Sequence, residues 1–89
     1  MIENSDSPLE FPCRWPVKAM VRTDEAAMRN VLDAIGRHAE LPDEDEVSVR
    51  PSRNGRFESI TVPIEARSRS HLEAIYTEVR ALDAVVMTL

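Results

Sequence analysis

The stretch VRPSRNGRFESITV, residues 49–62, constrains the fold more than any other part of this sequence, because it predicts a β-hairpin with a definite register. Asn54 and Gly55 tolerate the left-handed dihedrals that a two-residue type I′ turn requires. The resulting register pairs apolar residues on one face and polar or aromatic residues on the other: Val49 with Ile60, Val47 with Val62, Arg50 with Ser59, and Ser52 with Phe57. Turn chemistry and hydrophobic pattern therefore agree on the hairpin.

Apolar periodicity predicts a strand and a helix on each side of this hairpin. The first strand covers residues 15–22, and the helix after it is capped by Thr23 or Asp24 and ends before Pro42. Ser70 and Glu73 have capping-box spacing at the start of the second helix. The two helical stripes are Met28, Val31, Leu32, Ile35 and Ala39, and then Leu72, Ile75, Tyr76, Val79 and Leu82. Residues 84–89 alternate as the last strand.

The element order β-α-β-β-α-β predicts an α+β fold, the ferredoxin-like plait. Right-handed crossovers give a four-stranded antiparallel sheet in the order 4-1-3-2 with both helices on one face. Residues 1–8 are expected to be a flexible polar tail, and residues 9–89 a single domain. Within the segment LEFP, Leu9 and Phe11 are expected to dock on the domain, with partial cover of the open sheet face as one possibility.

The charge balance argues against nucleic acid as a partner. Eleven lysines and arginines stand against 16 acidic residues, a formal charge of −5, whereas phosphate-backbone binding depends on cations. No apolar run has the roughly 20 residues that cross a bilayer, and the start MIENSDSP has no signal-peptide pattern. We therefore expect a cytoplasmic protein with no membrane or nucleic-acid partner.

The residue types that usually carry chemistry are sparse. Cys13 is the single cysteine, with no base or resolving thiol in evidence. His38 and His71 are the only histidines, at opposite helix ends by role, and no third ligand has metal spacing. The acidic loop at residues 43–46 lacks the glycine turn of an EF-hand and is expected to be solvated and close to Arg67 and Arg69. We predict no catalytic residue, no metal site and no cofactor.

Two places remain for partner or ligand contact. The open sheet face is expected to display Lys18, Met20, Arg50, Phe57, Thr61, Val86 and Thr88. The hairpin tip is expected to bring Arg53 and Arg56, with Arg22, to the start of the first helix, where an anion could bind; pairing or solvation of these arginines is the favoured alternative. The candidate contact residues are Lys18, Arg50, Arg53, Arg56 and Phe57.

The residues also resemble a known family. LEFP with Lys18 and Met20 downstream, RHA at 37–39, VRPSRNGRF leading into SITVPIEA, a helix with Tyr76, and the end VVMTL are similar to the YbeD-like small bacterial proteins. The resemblance implies a plait similar to the ACT regulatory domain, in a family without an established activity. ACT domains commonly bind small molecules, often amino acids, near the first strand–helix turn, where a glycine lets the backbone approach the ligand. The turn VRTDEA here has no glycine, which argues against amino-acid binding.

Three functions stay open, in decreasing order of support. The first is a non-catalytic regulatory or interaction module with a protein partner, a second copy of itself or a small-molecule effector. The second is a plait enzyme of the acylphosphatase type, with Arg22 or Arg53 binding an anionic substrate. The third is RNA binding, which needs two or three exposed aromatic residues where only Phe57 is expected.

Overall fold

The computed structural model describes residues 10–89, so the predicted tail at 1–8 and Leu9 lie outside the described residues. The element order is β-α-β-β-α-β, as the sequence predicts. The elements are β1 Cys13–Arg22, α1 Ala27–Gly36, β2 Ser48–Pro51, β3 Phe57–Ala66, α2 Arg69–Arg80 and β4 Val85–Thr88, with a 3₁₀ turn at Glu44–Glu46 before β2. Neither of the helices in this part of the chain is long and apolar enough to span a membrane.

The four strands form one antiparallel sheet in the order β2-β3-β1-β4, which confirms the predicted ferredoxin-like plait. Both helices pack on the same face, because alternate residues of β1 and β3 are buried with them in one core. Its members are Val17, Ala19, Val21, Ala27, Val31, Ala34, Ile35, Ile60, Val62, Ile64, Ala66, Leu72, Ile75 and Val79. No helix of residues 10–89 lies over the opposite face, which we call the helix-free face.

The central pair of strands contains two prolines opposite each other, Pro16 on β1 and Pro63 on β3. The Ser52 N–H donates to the Phe57 carbonyl, so β3 residues of the same parity, including Pro63, point their backbone nitrogen toward β2. Pairing of β2 with β3 begins only at Ser48 and Thr61. The missing donor of Pro63 therefore points past the end of β2, where no ladder bond is lost.

The hairpin has the predicted register but a different turn. Val49 pairs with Ile60 and Arg50 with Ser59, whereas the predicted type I′ geometry is wrong. Gly55 alone has a positive φ among the described residues, at 76°, and its N–H donates to the Ser52 carbonyl at 3.0 Å. Asn54 avoids the left-handed region because its Oδ1 accepts from the Arg56 N–H at 3.0 Å, a side-chain turn that needs only one residue at positive φ.

The second strand is shorter than the hairpin pattern predicts. It begins at Ser48, so the predicted Val47–Val62 pair is absent from the ladder, although Val47 is half-buried against the core. Val49 faces the helix side but stays 38% exposed, because the helices do not cover this edge strand. Phe11 and Trp15 also pack on the helix side, so Phe11 does not shield the helix-free face.

Both helix starts differ from prediction by a few residues. Helix α1 begins at Ala27, and the Asp24 carboxylate accepts from the Ala26 N–H at 2.8 Å. The N-cap of α2 is Ser68, whose hydroxyl accepts from the His71 N–H at 3.1 Å. The Ser70–Glu73 capping box is therefore wrong, because Ser70 already lies inside the helix.

A polar junction between the two helices, formed by Arg37, His38, His71 and Glu78, was not predicted. His71 is 8% exposed; its Nδ1 lies 2.9 Å from the backbone nitrogen of Arg67 and its Nε2 2.7 Å from the carbonyl oxygen of His38. A backbone N–H can only donate and a carbonyl can only accept, so the ring carries its proton on Nε2. His71 thus ties the end of α1 to the start of α2.

Glu78 on α2 completes the junction. Its carboxylate accepts from Arg37 Nε at 3.1 Å, from Arg37 Nη2 at 3.2 Å and from His38 Nε2 at 2.8 Å. The hydrogen bond from Arg37 is the largest cause of the lowered pKa of Glu78, and the hydrogen bond from His38 is the second. The bond between Arg37 and Glu78 also raises the pKa of Arg37. Arg37 pairs across the helices rather than with Asp33 on its own helix.

Candidate interaction face of the sheet

The helix-free face is built by the strand residues that alternate with the buried ones. Cross-strand pairing fixes three neighbouring rows over β1, β3 and β2. The rows are Lys18, Thr61 and Ser48; then Met20, Ser59 and Arg50; then Arg22, Phe57 and Ser52. Lys18, Arg50 and Phe57 from the sequence prediction therefore share this face.

The last strand presents different residues from those predicted. Met20 pairs with Met87, but Val21 pairs with Val85, so Val86 is an extra residue in a bulge. Met87 consequently lies on the helix-free face. Thr88 pairs with Ala19 and accepts from Arg80 Nη1 of α2 at 3.4 Å, which places it on the helix side. The predicted exposure of Thr88 on the open face is wrong, because the bulge shifts the alternation by one residue.

Positive charge is concentrated on the helix-free face although the chain is acidic. The charged residues of this face are Arg14, Lys18, Arg22, Arg50 and Glu65. Arg14 pairs with Glu46 at 3.4 Å, and Arg22 donates to the carbonyl oxygen of Asp83. Within residues 10–89, neither Lys18 nor Arg50 has a carboxylate within ion-pair distance.

These two cations border a shallow depression of about 260 Å³, which we call the Lys18–Arg50 basin. Its lining residues are Lys18, Ser48, Arg50, Ser59 and Thr61. Sequence reasoning had missed Ser48 and Ser59 as part of a site. Their parity in the hairpin register could have revealed them, since each directly faces a predicted face residue, Thr61 or Arg50.

An apolar depression adjoins the basin toward the hairpin. It measures about 170 Å³ and includes Met20, Pro51 and Phe57, with Arg50 on its border. Phe57 is half-buried. Arg50 thus stands between a polar and an apolar contact area, which is the composition of a small recognition surface.

The hairpin tip lies beside the face but is not part of it. Thr23 holds the tip through its N–H to the Arg56 carbonyl at 2.9 Å and its hydroxyl to the Gly55 carbonyl at 2.7 Å, so the tip does meet the loop before α1, as predicted. Arg53 and Arg56 are exposed and have no carboxylate within ion-pair distance among the described residues. They do not converge with Lys18 and Arg50.

The far end of the molecule offers a larger groove with balanced charge. It measures about 510 Å³ and includes Arg14, Glu40, Pro63, Glu65 and Arg67 among its lining residues. The nearby carboxylates of Asp43, Asp45 and Glu46 come within 4.8 Å of one another, and all three are exposed. Arg14 is the cation that pairs with this acidic loop, and Arg67, which was predicted to lie near the loop, lines the same groove as Pro42, the residue before it.

Comparison with known proteins shows that the chain has relatives along its whole described length. The profile of the family described as "Protein of unknown function (DUF493)" matches residues 6–89. A UPF0250 protein of Nitrosomonas europaea is 33% identical over 84 residues, covering 94% of this chain and 97% of that protein. A UPF0250 protein of Azotobacter vinelandii is 40% identical over 82 residues, covering 91% and 89%.

Solved structures support the same fold. The solution structure of HP0495 from Helicobacter pylori matches with a TM-score of 0.73 at 24% identity, covering 100% of this chain and 94% of that one. The uncharacterized protein TM1266 from Thermotoga maritima matches with a TM-score of 0.58 at 14% identity, covering 85% and 92%. These likenesses concern the fold alone. By its sequence matches, the chain belongs to the UPF0250 (YbeD-like) family, whose members are bacterial proteins of unknown function.

Proposed function

We propose that this protein is a non-catalytic regulatory module that binds an acidic partner protein through its helix-free face. The observation that carries the proposal is the segregation of charge: in a chain of net charge −5, the strand residues of that face include four cations and one carboxylate, and only one of the four cations, Arg14, has an ion-pair partner among residues 10–89, Glu46. Complementary potentials steer association and select partners. Lys18, Arg50 and Phe57 are the proposed contact residues, with Arg53 and Arg56 at the margin.

The local contacts of the residues considered for catalysis favour a binding role. Arg22 donates to the Asp83 carbonyl, and the Asn54 amide oxygen accepts from Arg56 N–H and faces the Ser52 hydroxyl at 3.1 Å. An acylphosphatase-type site needs an arginine and an amide that converge on an anion. Here Arg22 and Asn54 each stabilise a different turn, Arg22 at Asp83 and Asn54 at Arg56, so they do not converge on one anion.

Charge also favours an acidic partner over a second copy or RNA. Two copies of this face brought together would oppose cation to cation, which is unfavourable. Stacking of RNA bases needs more than one aromatic platform, and among the described strand residues of this face Phe57 alone is aromatic. A protein surface rich in Asp and Glu needs neither feature.

The test is affinity purification from the native host with matched baits. Wild type is compared with Lys18→Glu/Arg50→Glu, with Phe57→Asp, and with Arg29→Glu, an exposed charge reversal on α1. We expect the same set of acidic proteins with wild type and the Arg29 variant, and its loss with both face variants. Retention of that set by Lys18→Glu/Arg50→Glu would refute the proposal.

A further inference from the structure

The Lys18–Arg50 basin gathers five hydrogen-bond donors on three strands. Lys18, Thr61 and Ser48 form one row, and Ser59 and Arg50 stand in the next. Neighbouring strands lie about 4.8 Å apart, and rows of the same face about 6.6 Å apart. Thr61 and Ser59 therefore lie on the middle strand β3, Ser48 and Arg50 lie to one side on β2, and Lys18 lies to the other side on β1.

None of these five side chains has a hydrogen-bond or ion-pair partner among residues 10–89. Other hydroxyls in the same part of the chain do: Thr23 donates to Gly55, Ser52 accepts from Phe57, and Ser68 caps α2. The basin therefore differs from ordinary turn chemistry. Its five side chains line one depression of about 260 Å³ and are not hydrogen-bonded to other described residues.

We propose that the Lys18–Arg50 basin binds the phosphoryl group of a small molecule, and that this molecule is an effector of the helix-free face. The inference rests on the proposed function of that face. A phosphoryl group carries about −1.5 to −2 charges at pH 7 and three strong acceptor oxygens. Two cations match that charge, and three hydroxyls match those oxygens. A carboxylate has one charge and two coplanar oxygens, so it leaves part of the donor set unused.

The arrangement also excludes strong competition from the protein itself. Glu65 on β3 lies two rows from the basin, beyond Pro16 and Pro63, and Glu46 is paired with Arg14. Arg50 presents a planar fork that binds phosphate oxygens in pairs, while Lys18 acts as a point charge. The phosphoryl group therefore sits over Ser59 and Thr61 with one cation on each side.

The test is an NMR titration of the ¹⁵N-labelled full chain with inorganic phosphate. We expect saturable amide shifts confined to Ser48, Ser59, Thr61 and their strand neighbours. Lys18→Gln and Arg50→Gln should each weaken phosphate binding about threefold, and the double variant about tenfold. Arg29→Gln, which removes an exposed arginine on the other side of the molecule, should leave binding unchanged.

A charge-neutral variant separates a built site from general attraction of anions. Ser59→Ala/Thr61→Val removes two hydroxyls and no charge, and we expect it to weaken phosphate binding about threefold. Unchanged affinity in this variant, or succinate binding as tightly as phosphate, would overturn the phosphoryl assignment. Glycerol 3-phosphate identifies the source: tighter binding than phosphate supports a phosphomonoester, and equal binding supports free phosphate.

Two further outcomes are decisive. Shifts that spread to Phe57 with a single-stranded oligonucleotide, at an affinity above that of glycerol 3-phosphate, would overturn the small-molecule assignment. If phosphate produces no saturable shift while Lys18→Glu/Arg50→Glu still abolishes capture of acidic proteins, this inference fails and the proposed function stands. If phosphate binds and capture is insensitive to that variant, the proposed partner role fails instead.

Discussion

The polar helix junction and the Lys18–Arg50 basin contain similar side chains but use them in opposite ways. In the junction, Arg37, His38 and His71 all have partners, and Glu78 accepts from two of them. In the basin, five donors have no partner among the described residues. The polar groups of the junction therefore hold the two helices together, whereas the unpartnered donors of the basin are available for the ligand that we propose.

The largest expected effect is in the junction, at His71. Replacement His71→Ala leaves the partly buried Arg67 N–H and His38 carbonyl without their partner, and each such group costs about 1–3 kcal/mol. We expect the free energy of unfolding to fall by about 2–3 kcal/mol in urea denaturation. Ser70→Ala, on the exposed side of α2, is the matched control; it removes only a hydroxyl contact to Ser68 at the surface and should change little. A loss below about 1 kcal/mol would contradict the assigned role of His71.

A smaller effect is expected at the N-cap of α2. Ser68→Ala removes the hydroxyl that accepts from the His71 N–H, so we expect a loss of about 1 kcal/mol in unfolding free energy. Ser70→Ala should cost far less, because it keeps the bond from the His71 N–H to Ser68 and removes only the exposed contact between the two serine hydroxyls at 3.1 Å. Equal losses of unfolding free energy in Ser68→Ala and Ser70→Ala would contradict the assignment of Ser68 as the N-cap.

The contribution of Glu78 should depend on pH. Its folded-state pKa lies below the ordinary value because Arg37, and then His38, stabilise the carboxylate. The stabilisation is therefore present above the unfolded-state pKa and is lost as the pH falls through the folded-state pKa. We expect Glu78→Gln to melt at a lower temperature than wild type at pH 7 and at the same temperature in strong acid. A difference in melting temperature that stays constant from pH 7 to strong acid would show that Glu78 contributes through packing and not through its charge.

The smallest effect on stability is expected in the basin. Lys18→Gln and Arg50→Gln remove exposed cations that have no carboxylate partner within residues 10–89, so each should change the unfolding free energy by no more than about 0.5 kcal/mol. Urea denaturation of the two variants beside His71→Ala measures the comparison directly. A loss at Lys18 or Arg50 as large as that at Ser68 would show that the basin, too, maintains the fold.

The sequence predicted the parts of this fold that depend on local alternation. Val17, Ala19, Ile60 and Val62 lie on the buried face as their spacing requires, and Lys18, Arg50 and Thr61 share the opposite face for the same reason. The turn type was wrong because it depends on the Asn54 side chain. The bulge at Val86 has no signal in the residue pattern, so the exposure of Thr88 was also wrong.

The junction was not predictable by the same reasoning. The partners of His71 are backbone atoms of Arg67 and His38, and backbone atoms leave no mark in the residue types. Glu78 meets Arg37 and His38 only after the two helices pack together. The basin was predicted in part. Lys18 and Arg50 were named from the sequence, but the grouping of its hydroxyls depends on the pairing of β2, β3 and β1.

The proline positions bear on how this protein behaves at high concentration. Pro16 and Pro63 lack backbone donors where β1 and β3 extend past their outer neighbours, and by strand parity the nitrogen of Pro51 points outward from β2. A foreign strand aligned there would find gaps in its hydrogen bonding. Fibril-like growth from these stretches is thereby opposed, so strands β1–β4 can form a sheet with one helix-free face and still not recruit foreign strands along those edges.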